Sequence, residues 1–216
     1  MKKKFLEMFS LQDKLNTNTN GAEWTKGVTL QGRPINWYRC MYMEAAEAID
    51  SLNWKHWKDI NKSDDLENVK IELVDIWHFL MSQSIVNFKD SKLDCVEDAY
   101  DAYLVSKGSD FRLTLMGALE GILINASTKS LPLEMFFVAV SLVDGFSMDD
   151  VYSLYIGKNC LNQFRQDNGY KNGTYVKIWD RQEDNVYMQK ILNDNPDIAF
   201  AELYALLDSQ YKKITG

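Results

Sequence analysis

The 216-residue chain carries 24 Lys+Arg against 31 Asp+Glu, a formal net charge of −7, and 46% of its residues are hydrophobic. That apolar fraction excludes wholesale disorder, and the acidic balance argues against a broad nucleic-acid surface while leaving room for a locally basic phosphate pocket. No run of about 18 apolar residues occurs, polar residues interrupt the stretch after Met1-Lys2-Lys3-Lys4, and Cys40, Cys95 and Cys160 form no CxxC pair, so a protein with reduced thiols, no membrane span and no secretory leader is expected, and the cytoplasm is its expected location.

In chain order, Phe5, Leu6, Met8, Phe9, Leu11 and Leu15 recur at three- and four-residue steps and predict a first helix. On it Gln12, Asn16 and Asn20 step by four, an amide stripe that either faces a pocket or is simply exposed, with a stop at Asn20-Gly21. Residues 17–33 read as a loop. The helical period returns over 37–54, 66–88, 93–106, 111–126, 133–143 and 148–165, with Pro34 and Pro132 placed where helices can begin. Residues 167–185 are turn-rich, and 184–210 are helical with a break at Asn195-Pro196-Asp197. Period-two alternation is almost absent. The expected fold class is therefore all-α, in about seven to nine helices. The chain is read as a single domain, with 88–150 as a more mobile or dimer-contacting helical subregion.

Two carboxylate pairs stand out, Glu44 with Glu47 and Glu72 with Asp75. Three-residue spacing puts both members of a pair on one helix face. Apolar neighbours surround them: Met41, Met43, Ala45, Ala46 and Ala48 around the first pair, Ile71, Leu73, Val74, Ile76 and Trp77 around the second. Carboxylates there are costly unless a cation or hydrogen bonds compensate them. Two such helices packed together would bring four carboxylates to one spot and demand a cation, for which hard oxygens suit Mg²⁺. The competing reading is that these groups are partly exposed and pair with Lys55, Lys58 or Lys70. Asp75 and His78 also have the spacing of one half of a di-iron site, but no second such motif exists. His78 is then either a ligand-facing group or a core histidine bonded to a backbone carbonyl.

Residues 158–177 carry four basic groups, Lys158, Arg165, Lys171 and Lys177, against one acid, Asp167. Lys158, Asn162 and Arg165 share one helical face, and Asn168-Gly169-Tyr170 can bring backbone N–H groups near a phosphate. The alternative is an ordinary helix end with a solvated basic loop. In Trp54-Lys55-His56-Trp57-Lys58 the aromatics beside lysines suit base stacking and phosphate contact, or else both tryptophans are core.

Taken together, these stretches resemble the all-α dimeric dUTPases within the MazG-like nucleotide pyrophosphohydrolases. The resemblance runs from Gln12, Asn16 and Asn20-Gly21 through Trp37–Glu47, Trp54–Lys58 and Glu72–Phe79 to Tyr155–Lys177. The segments around Trp54–Lys58 and Lys158–Lys177 are its more specific parts, and residues 89–150 carry no matched motif. The resemblance implies hydrolysis of dUTP and dUDP to dUMP, which keeps uracil out of DNA and supplies dUMP. It implies a homodimer and two or more Mg²⁺ per site, with Mn²⁺ able to substitute. Glu44, Glu47, Glu72 and Asp75 would hold metal, with Glu44 or Glu47 taking the proton of the attacking water. Gln12, Asn16, Trp54, His78 and Asn162 would form the uracil and deoxyribose pocket. Lys158, Arg165, Tyr170, Lys171 and Lys177 would grip phosphates, with Lys55, Trp57, Asn168 and Gly169 as further substrate contacts. Nucleic-acid and membrane partners are not expected. A related dCTP or house-cleaning pyrophosphohydrolase would share the carboxylates and differ in the base pocket. A nucleotide-sensing helical interaction protein would bind without turnover.

Overall fold

The computed structural model describes residues 1–89, 91–108, 112–195 and 198–215. Among them run nine helices: α1 (Lys2–Asn20), α2 (Trp37–Asp50), α3 (Leu66–Asn87), α4 (Lys92–Gly108), α5 (Leu115–Ser127), α6 (Leu133–Leu142), α7 (Met148–Asp167), α8 (Asp184–Asp194) and α9 (Phe200–Thr215). The expected all-α class is met. The addition is a short antiparallel hairpin, β1 (Ile178–Trp179) and β2 (Gln182–Glu183). Among the described residues no helix is long and apolar enough to cross a membrane.

Helix boundaries follow local chemistry. Gly21, at φ 97°, ends α1 at the expected stop, its N–H bonded to the Thr17 carbonyl. The side chains of Asn36, Asp65 and Thr114 accept from the N–H groups of Arg39, Asn68 and Gly117 and so cap α2, α3 and α5. Helix α5 therefore starts at Leu115 rather than at 111, a position outside the described residues. Helix α2 ends at Asp50, four residues early, because Asn53 organises the following loop. Its Nδ2 donates to the carbonyls of Ile60 (3.1 Å) and Lys62 (2.6 Å), its N–H donates to Asp64 Oδ1, and the Asp65 N–H closes the loop on Ser51 O. In the expected break before α9, Asn195 bonds back to Ile191 O, while Pro196 and Asp197 lie outside the described residues.

The chain divides into two compact units, Met1–Val151 and Tyr152–Gly216. In the first, α3 is buried along most of its length, polar residues included, and occupies the centre. Helix α2 packs on α3 and α5, α1 on α3 and α4, and α6 on α4 and α5. The core is aromatic. Phe5 stacks on Phe137 (centroids 5.8 Å) and Trp77 on Phe136 (5.0 Å), and Trp77 and Phe5 are fully buried. In the second unit Phe164 meets the rings of Tyr175, Trp179, Tyr204 and Tyr211, all near edge-on. The hairpin turns on Asp180 and Arg181, both at positive φ (48° and 71°).

Candidate active site

Packing of α2 on α3 brings Glu44, Glu72 and Asp75 together. One oxygen from each lies within 4.8 Å of the other two. Glu72 is buried, and Asn68 Nδ2 donates to its Oε1 (3.1 Å). Burial, then the negative charges of Asp75, Glu72 and Glu47, push the Glu44 carboxyl from the ordinary 4.5 up to about 8, and Glu72 accepts a hydrogen bond from the protonated form. A carboxyl raised so far among its own kind marks a place where negative charge is in excess. Glu47, one turn beyond Glu44, is exposed. It stays outside the trio, although its charge reaches Glu44.

Three of the four expected metal ligands are thus gathered. The competing reading, in which lysines neutralise these groups, finds other pairings for two of its lysines: Lys55 pairs with Asp50, and Lys70 with Glu67 (2.6 Å). The donor set fits a hard divalent cation, all carboxylate oxygen with no histidine in the group. Cys40, one turn before Glu44, offers no soft alternative, since burial first and the Glu44 charge second raise its thiol above the ordinary 9.0.

One turn along α3 from Asp75, a polar cluster is buried in the first unit. Gln12 and Asn16 of α1 and His78 and Ser82 of α3 are all buried. His78 Nδ1 lies 2.7 Å from Gln12 Oε1. Gln12 Nε2 and Asn16 Nδ2 both donate to Ser82 Oγ (3.0 and 2.9 Å). Gln12 and Asn16 of the expected amide stripe therefore face inward, and His78 Nδ1 meets the side-chain amide oxygen of Gln12 rather than a backbone carbonyl. Ser82 was not visible as a functional residue in the sequence. The available signal was its place on the α3 stripe Glu72, Asp75, His78, Ser82, at steps of three, three and four.

Trp54 and Trp57 are 44% and 62% exposed, edge-to-face at 5.5 Å, with Lys55 Nζ 5.7 Å from the Trp54 ring centre. Both are surface aromatics, and the reading of them as core residues is corrected. Their loop frames a cavity of about 350 Å³. Lys55, Lys58 and Lys62 line it together with Asp50, Asp59 and Asp65, so its charges balance.

In the second unit Lys158, Asn162 and Arg165 share a face of α7 as expected. Arg165 Nη1 donates to Asn162 Oδ1 (3.2 Å), and both Lys158 and Arg165 reach Asn185 Oδ1 (3.5 and 3.3 Å). The guanidinium is bound bidentately by Asp184, Nε to Oδ2 at 2.8 Å and Nη2 to Oδ1 at 2.7 Å. Asp184 is fully buried and also accepts from Tyr175 Oη (2.8 Å). Sequence reasoning missed Asp184 because Glu183-Asp184-Asn185 reads as a solvated helix start. Tyr170 and Lys171 are exposed, and Lys177 pairs with Glu183 (3.0 Å). Asn168 and Gly169 end α7: Asn168 Nδ2 donates to Phe164 O, and Gly169 sits at φ 89°. A Cβ at 169 would collide with Thr174 Oγ1. Gly169→Ala is expected to cost about 1–3 kcal/mol, from the left-handed conformation and this clash together, read as a lowered denaturation midpoint; an unchanged midpoint would contradict the turn geometry.

A family model described as dUTPase matches residues 4–170, the span that holds the carboxylate trio, the buried amide cluster and all of α7. Among curated proteins none matches the chain.

Proposed function

Since the chain belongs to the dUTPase family and hydrolyses dUTP to dUMP, we propose that the Glu44–Glu72–Asp75 trio is its metal centre and the buried amide cluster its base pocket. The trio carries this reading, because three converging carboxylates with Glu44 held at about 8 need a cation to ionise together. The ion is Mg²⁺, two or more per site, with Mn²⁺ as a substitute. Once bound, Mg²⁺ lowers the pKa of the attacking water and offsets charge on the departing phosphate.

The chain's own groups supply the rest. Glu44 or Glu47 would take the proton of the attacking water. Glu47 lies outside the trio and keeps its carboxylate for proton transfer or a further ligand bond. Gln12, Asn16 and His78 address the base edge, and the exposed Trp54 and Trp57 offer faces for stacking, with Lys55 beside them. Lys158, Tyr170, Lys171 and Lys177 are proposed as phosphate contacts on their residue types, and Asn162 as a sugar contact. The Asp184 pairing makes Arg165 first an organiser of its own unit. The bond between the α and β phosphoryl groups breaks, so dUDP is also a substrate. The enzyme works as a homodimer in the cytoplasm, without nucleic acid.

The test is release of pyrophosphate from dUTP and of phosphate from dUDP, with and without Mg²⁺, alongside dCTP. Metal-dependent release from both deoxyuridine nucleotides, well above dCTP, is expected. Turnover that survives full chelation would overturn the metal reading, equal rates for dCTP would overturn the base assignment, and binding without turnover would point to a sensor.

A further inference from the structure

The buried amide cluster contains more information than its membership, because its hydrogen bonds run one way. Ser82 Oγ has a single proton and donates it to the His78 carbonyl (2.7 Å). A carbonyl only accepts, so the direction of this bond is settled by chemistry. With that proton committed, Ser82 Oγ can only accept from its other neighbours. The two amide atoms beside it, on Gln12 and Asn16, must then be nitrogens. The second proton of Gln12 Nε2 points to Asn16 Oδ1 (3.3 Å). Gln12 therefore turns its oxygen to His78, and Oε1 at 2.7 Å can only accept. Hence Nδ1 of a neutral His78 carries the hydrogen, and Nε2 carries the lone pair.

We propose that Ser82 is a positioning residue that locks His78 in the Nδ1–H tautomer, so that Nε2 accepts a hydrogen bond from the substrate base and selects an N–H edge over a lone-pair edge. Uracil presents N3–H where cytosine presents a bare N3, so this polarity separates the two pyrimidines without any difference in shape. The proposal rests on the reading above that the base lies against His78. Helix α3 gives the arrangement its scale: at about 1.5 Å of rise per residue, His78 follows Asp75 by roughly 4.5 Å along the axis, so one helix carries two of the three carboxylates, Glu72 and Asp75, together with the base reader. With Ser82 fully buried, no bulk water takes over its part in the unaltered chain. Ser82→Ala removes the acceptor shared by both amides. Either amide can then rotate, and the tautomer is no longer dictated.

The experiment combines long-range proton–nitrogen correlation spectra of the full chain labelled in histidine, which read the ring tautomer directly, with kcat/KM for dUTP and dCTP. Unaltered protein is expected to show His78 as Nδ1–H. Ser82→Ala should show mixed tautomers, and its dUTP-over-dCTP preference should fall roughly 10- to 100-fold, the worth of one buried hydrogen bond left unmet, mostly through KM. Ser82→Thr keeps a hydroxyl able to reach the carbonyl four residues back and should restore both readouts. An Nε2–H ring in the unaltered protein overturns the proposal without any variant, so a failure of Ser82→Ala to fold does not protect it. A released tautomer with unchanged preference also overturns it. If the chain turned over no deoxyuridine nucleotide, the base-pocket reading would fail, while the tautomer spectra would still decide whether Ser82 sets His78.

Discussion

Asp75→Asn is expected to lower dUTP hydrolysis by on the order of 10³-fold or more, because a trio that loses one charged ligand gives up several kcal/mol of charge stabilisation in the transition state. The fold should survive, and without metal it should resist alkali better. Glu44 has its carboxyl raised to about 8, with the Asp75 charge the largest cause after burial. A carboxyl raised in the folded state favours folding while it is protonated in that state. Its contribution is therefore full below the ordinary 4.5 and is lost as pH climbs to about 8. The metal-free chain should lose stability between these limits, and Asp75→Asn should flatten that loss. Thermal midpoints at pH 5 and pH 8, with and without Mg²⁺, check the sign. Mg²⁺ should raise the midpoint of the unaltered protein at pH 8 far more than that of the variant. Turnover within tenfold of normal in Asp75→Asn would sink the metal assignment.

Asp184→Ala is expected to destabilise the second unit by about 3–5 kcal/mol, since it leaves the 9%-exposed Arg165 guanidinium without its counter-ion. Three segments meet at this carboxylate: the last turns of α7 through Arg165, the turn-rich stretch through Tyr175 Oη, and the first turn of α8. Hydrogen exchange should therefore rise along α8 and around 175–179 together. Replacing both partners by apolar residues, Arg165→Met with Asp184→Leu, should recover most of the loss, because no charge is then buried alone. Exchange confined to the hairpin in the single variant, or a double variant no more stable than it, would mean that the pair is not the link between these segments.

Much of this protein was readable in one dimension because the decisive signals were local. The helical period, the scarcity of proline and the stop at Asn20-Gly21 placed the helices to within a few residues; the starts of α2 and α3 fall where expected, behind the caps Asn36 and Asp65, and the Thr114 cap sets the later start of α5. The hairpin escaped notice because Asp180-Arg181 holds positive φ without the glycine that announces such a turn. The carboxylate pairs were legible because a charge repeated at three-residue spacing inside apolar helices contradicts its surroundings, and that contradiction asks for a cation.

Partnership was decided in three dimensions. Spacing along α2 could not say that Glu44 would join Glu72 and Asp75 while Glu47, on the same face of the pattern, stayed in solvent; the crossing of α2 on α3 decides which oxygens converge. The tryptophans of the Trp54–Lys58 stretch carry a core composition, yet the hydrogen bonds of Asn53 lift their loop off the core and expose them. Arg165 reads from its neighbours as a free phosphate donor, and only the return of the chain through the hairpin to Asp184 commits it to an internal pair. Sequence determined which charges had to be compensated, because burying a charge is costly wherever it falls; the tertiary structure decided what compensates each one, because hydrogen bonds and ion pairs act over about 3 Å and depend on contacts made across the fold.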